Sequence, residues 1–80
     1  MQDLPPNSEL DACILACCKP RSLKVARIIY DSASLAGLLD CDEAYELIAQ
    51  RIECLVVSGK LEAFGNLARW RHSEVRLMPE

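Results

Sequence analysis

Apolar positions in the first two thirds of the chain recur every three or four residues, and in the last third they recur every second residue. Leu10, Cys13, Ile14 and Cys17 follow the helical spacing and predict a buried stripe on a first helix, with Ser8 and Asp11 placed as a capping box at its start. Pro20 ends it, because a proline disfavours helical geometry in the residue before it. Ser22 then reads as the cap of a second helix of about a dozen residues, with Leu23, Ala26, Ile29, Tyr30 and Ala33 inward and Lys24, Arg27 and Asp31 outward. Gly37 marks the turn after it. Asp40 and Glu43 form another capping box, and a third helix is expected from there to Ser58, stopped by Gly59, with Tyr45, Ile48, Ile52, Leu55 and Val56 as its core stripe.

Beyond Gly59 the period falls to two. Leu61 and Ala63 share one face, Val75 and Leu77 alternate in the same way, and two strands are implied. Two hairpin registers fit this stretch. Either Gly65 and Asn66 make a tight turn that pairs Phe64 with Leu67 and sets Trp70 opposite Leu61, or residues 66–72 form a longer wing with Ala63 facing Val75 and Trp70 at its tip. Three helices followed by a β-hairpin give a mainly α (α+β) chain in winged helix-turn-helix order. Residues 1–8 are expected to be a frayed leader and residues 9–80 a single winged-helix-like domain.

The segments "LDACIL", "LKVARII", "RIECLVVSGKLEAFGN" and "WRHSEVRL" carry a resemblance. Over residues 10–78, and most specifically over Gly59 to Ala63 and Ser73 to Leu77, the chain resembles a bacterial domain family of unknown function whose longer members carry it as a C-terminal piece. The resemblance implies a winged-helix-like fold and no reaction. It transfers no catalytic residue.

Composition sets the scale. A chain of 80 residues with 51% apolar and 26% charged residues is globular, but it buries only roughly 60 to 65% of the surface that its unfolded form exposes. The N-terminus has no basic patch followed by an apolar run, and no segment approaches the ~20 apolar residues of a membrane span, so a cytoplasmic protein is expected, without a membrane partner. Five cysteines, an odd number without a signal peptide, read as free thiols that pack as small apolar residues. Cys13 and Cys17 with His72 lack the Cys-x-x-Cys knuckle of a zinc site, so no metal is expected.

Nor does the chain carry a catalytic set. One histidine, His72, and three scattered glycines leave no Ser-His-Asp set, phosphate loop or dinucleotide fingerprint, so neither an enzyme, a cofactor nor a small-molecule substrate is expected. Asp40, Asp42 and Glu43 are explained as acids at a helix N-terminus.

Charge separates the two remaining functions. The formal net charge is -3, and the third helix should present Glu43, Glu46, Gln50 and Glu53 opposite its core stripe. A DNA-reading helix offers cationic and amide side chains to base edges beside phosphates, which these carboxylates would repel. The leading expectation is therefore a protein partner or self-association, possible as a dimer, with Arg69, Trp70, Arg71, Glu43, Glu46 and Glu53 as contact candidates. The alternative is a DNA-binding regulator that touches phosphates through Lys19, Arg21, Lys24, Arg27 and Arg76.

Overall fold

The computed structural model describes residues 6–78, except for the side chains of Ala68 and Trp70. Its element order is α1 (Asn7–Cys17), β1 (Leu23–Lys24), α2 (Val25–Leu35), α3 (Asp42–Val57), β2 (Leu61–Phe64), a short 3-10 segment (Leu67–His72) and β3 (Glu74–Leu77). The chain is thus mainly helical, with three helices and a small three-stranded antiparallel sheet in the order β1-β3-β2.

The first helix starts earlier than expected and without the predicted box. Pro6 is its N-cap, its carbonyl accepts from the Glu9 and Leu10 amides, and no side chain caps the end. Asn7 and Ser8 therefore belong to the helix rather than to a leader. Asp11 instead reaches across to α3, where Arg51 grips both its oxygens at 2.9 and 2.8 Å. The buried line also differs from the expected one: Leu10, Ile14 and Cys18 are buried at i, i+4 spacing, while Cys13 and Cys17 sit at the rim. The helix packs against both α2 and α3, with Leu15 and Cys17 partly buried beside that line.

A second correction concerns Ser22. It caps nothing, because Leu23 and Lys24 are extended and pair with Val75 and Glu74 of β3 before the helix begins at Val25. The first amide of α2 is satisfied by the sheet side instead, Val25 N–H donating to the Ser73 carbonyl at 3.0 Å. On α2 itself Val25, Ile28, Ile29, Ser32 and Ala33 are buried, whereas Tyr30, expected inside, is 59% exposed.

Both glycine stops act as expected, and by one mechanism. Gly37 (φ 74°) and Gly59 (φ 85°) follow α2 and α3 in the left-handed region, which a side chain disfavours. In each case two amides fold back on the helix end: Leu38 to Ala33 and Gly37 to Ser34, then Lys60 to Leu55 and Gly59 to Val56. Leu38 and Ala33, both buried, close the first of these apolar caps. The Asp40–Glu43 box does not form; α3 begins at Asp42 with Cys41 as N-cap and no side-chain cap.

Of the two hairpin registers, the one with the longer connection and Ala63 opposite Val75 is present. Ala63 faces Val75 and Leu61 faces Leu77, and residues 67–72 cross between the strands as a kinked 3-10 segment. The core is one cluster in which Leu10, Ile14, Ile28, Ile48, Ile52, Leu61 and Val75 join all three helices to the hairpin.

Two consequences are measurable. Ser32 Oγ is fully buried without a hydrogen-bond partner, and a buried unsatisfied hydroxyl costs about 1–3 kcal/mol. Ser32→Ala should raise stability by about 1 kcal/mol, a gain of roughly 4–8 °C in thermal midpoint for a domain of this size, read by circular dichroism. The hydrogen bonds from Arg51 hold Asp11 below its ordinary pKa of 3.8. A depressed folded pKa stabilises the fold above the unfolded value and loses that contribution as pH falls through the folded one. Urea midpoints of Asp11→Asn should lie below those of the unaltered protein at pH 6, and the gap should close as the pH is lowered below about 4.

Candidate functional site

The outer face of α3 is the most distinctive surface of the molecule. Glu43, Glu46, Gln50, Glu53 and Val57 follow one another at intervals of three and four, and all five are exposed. The stripe thus runs along one side of the helix. Its other side, through Ala44, Ile48, Ile52 and Leu55, is buried. Helix stability accounts for part of the charge only. Asp42 and Glu43 lie in the first turn, where the helix dipole favours acids. Glu53 lies toward the opposite end, where the dipole disfavours a negative charge, and no basic residue follows in the last turn. Arg51 does not offset the stripe, since its guanidinium is bound to Asp11. The stripe ends in an apolar residue, Val57, at 83% exposure.

The cations divide into separate groups rather than one phosphate-binding surface. Lys19, Arg21 and Arg27 line an open groove of about 410 Å³ between the end of α1 and α2, with Ala16, Leu23 and Leu35 among its apolar walls. Arg27 also approaches Asp31 at 3.6 Å across one helical turn, a pair that is largely solvated. Lys24 faces a different, smaller cleft with Arg71, His72 and Glu74. Arg76 is engaged on the sheet, with its guanidinium 2.8 Å from a Glu62 carboxylate oxygen and 5.8 Å from the Phe64 ring centroid. The alternation of β2 and β3 places Glu62, Phe64 and Arg76 on the sheet's outer side, opposite Leu61, Ala63 and Val75.

Arg69 and Arg71 are exposed on the 3-10 segment, while the Trp70 side chain between them lies outside the described residues. Arg71 also lines a shallow apolar depression of about 280 Å³ with Ala26, Ile29, Tyr30 and Tyr45. Sequence reasoning missed this depression because it placed Tyr30 in the core. Tyr45 is fixed there by donating its hydroxyl to the Leu39 carbonyl.

The cysteines are all free thiols, and burial raises the pKa of Cys13 and pushes Cys18 up to about 11. That is the reverse of the lowering that makes a thiolate reactive. Among the described residues there is no group of three or more His, Cys, Asp and Glu side chains that could hold a metal ion, and no helix long and apolar enough to cross a membrane.

No family model, curated protein or solved structure matches the chain. The surface must therefore be read from its own chemistry.

The Glu62–Arg76 pair is half exposed, so its contribution should be small and sensitive to salt. A double-mutant cycle with Glu62→Gln and Arg76→Gln, followed by urea unfolding, should give a coupling of about 0.2–1 kcal/mol at 50 mM NaCl that vanishes at 1 M.

Proposed function

We propose that this chain is a non-catalytic winged-helix module of the cytoplasm that works by contact with another protein. The helix, strand, helix, helix and hairpin order, with β3 between β1 and β2, supports the winged-helix reading. In that reading α2 and α3 form the helix-turn-helix, α3 stands where a recognition helix would, and residues 65–73 are the wing.

The observation that carries the function is the sign of α3. A recognition helix must bring its outer face against a duplex that bears one negative charge per about 1.7 Å of axis. Glu43, Glu46 and Glu53 are exposed on that face, and the nearby Arg51 is bound elsewhere. Bringing three carboxylates among phosphates opposes insertion. A partner protein with a basic surface is attracted by the same face, with Val57 as an apolar contact at its end.

Away from α3, the five candidate phosphate contacts are not all together. Lys19, Arg21 and Arg27 share one groove, but Lys24 faces another cleft and Arg76 is held by Glu62.

Titration of a fluorescent 30-base-pair duplex at 50 mM NaCl tests the reading. The unaltered protein should not bind below about 100 µM, the weak end of non-specific association. Glu43→Lys, Glu46→Lys and Glu53→Lys together should bind at least tenfold more tightly, with affinity that falls as salt rises. Micromolar, salt-sensitive binding by the unaltered protein would establish the DNA-binding regulator instead.

A further inference from the structure

The acidic stripe of α3 and the groove beside α2 are complementary in both charge and polarity. The stripe carries Glu43, Glu46 and Glu53 and ends at the 83% exposed Val57. The groove is lined by Lys19, Arg21 and Arg27, with Asp31 as its one acid, and has Leu35, 60% exposed, on its wall. No residue of α3 lines that groove, and the stripe points away from the side on which α3 packs against α1 and α2. One molecule therefore cannot close the two surfaces on each other.

We propose that the acidic face of α3 docks into the α1–α2 groove of a second copy of this chain. The proposal rests on the reading of the domain as a protein-contact module and names the partner. Carboxylates of one molecule face Lys19, Arg21 and Arg27 of the next, and Val57 lies over the apolar wall that includes Leu35. Two different patches meet, so the contact either closes reciprocally in a two-fold dimer or runs head-to-tail, leaving an unused stripe or groove at each end of an open assembly.

Charge complementarity is what selects this occupant. The groove carries three cations against one acid, and the stripe carries three acids with no cation of its own, so each surface offers what the other lacks. A helix laid in one open groove buries less than the roughly 1,200–2,000 Å² of a stable interface, so association should be weak, reversible and governed by ionic strength. Screening reaches over roughly 20 Å at 25 mM salt and about 4 Å at 500 mM. The contact should thus appear at low salt and vanish at high salt.

Sedimentation velocity from 10 to 300 µM provides the test. At 25 mM NaCl the mean mass should rise with concentration above the 8.9 kDa of one chain, and at 500 mM it should return to it. Two charge-reversed proteins then separate docking of the stripe in the groove from other self-association. Glu46→Lys with Glu53→Lys makes both surfaces positive, and Lys19→Glu with Arg21→Glu makes both negative. Each alone should need at least tenfold more protein to associate, and an equimolar mixture should associate again. Circular dichroism establishes that both reversed proteins are folded, and all four sites are exposed.

An unaltered protein that stays monomeric at 300 µM and 25 mM NaCl overturns the proposal, as does a mixture of folded reversed proteins that does not associate. Neither outcome touches the wider protein-contact reading, which falls only on the duplex titration.

Discussion

The pairing of β3 on both its edges is the constraint on which the rest of this small structure depends. A two-stranded hairpin is marginal in water by itself, and here β2 and β3 are only four residues each. Two extended residues after α1, Leu23 and Lys24, supply the third strand. The Leu77 amide also donates to the Lys19 carbonyl and the Val25 amide to Ser73, so the connection between α1 and α2 is held along the whole of β3. The helical half and the hairpin then share one core, with Leu61 and Val75 in the same buried cluster as Leu10, Ile28 and Ile48. The position of the hairpin relative to the helices follows from that closure.

Charge is organised by the same economy of scale. In a domain this small, few acids and bases lie far from one another, and the described arginines illustrate how they are used. Arg51 ties α3 to α1 through Asp11, Arg76 ties β3 to β2 through Glu62, and Arg27 leans on Asp31 along α2. Pairs of this kind contribute modestly to stability when solvated. The pairs occupy Arg51 and Arg76 with carboxylates of neighbouring elements, so Arg51 does not offset the outer stripe of α3. The third helix presents an acidic outer face, and the functional proposal follows from that sign rather than from the fold.

Much of the architecture was legible in the chain because it is written in local chemistry. The helix ends at Gly37 and Gly59 come from backbone conformations that glycine adopts freely, the core line Ile48, Ile52 and Leu55 from the helical period, and the face of Leu61, Ala63 and Val75 from the strand period. The acidic outer face of α3 was equally legible, since a helix whose core stripe is known has a defined opposite side. The expected helix starts were less secure. Ser8 with Asp11, Ser22, and Asp40 with Glu43 have capping chemistry, yet the N-cap residues are Pro6, Lys24 and Cys41, and no side chain caps the helices.

Tertiary contacts decided those cases. Asp11 is drawn to Arg51, forty positions away, and a charged bidentate bond outweighs a local cap. Strand β1 is two residues long, too short to have a period, and exists only because β3 is there to pair with it. Tyr30 fits the inward stripe of α2 by spacing, but in the fold it lines the open depression with Tyr45 and Arg71 and stays 59% exposed. By itself the sequence determined the period of each element, the residues that stop it and the sign of each face, because these depend on neighbours within one or two turns. Only the folded chain decided which cations are bound and which remain available, because that depends on partners brought together from distant parts of the sequence.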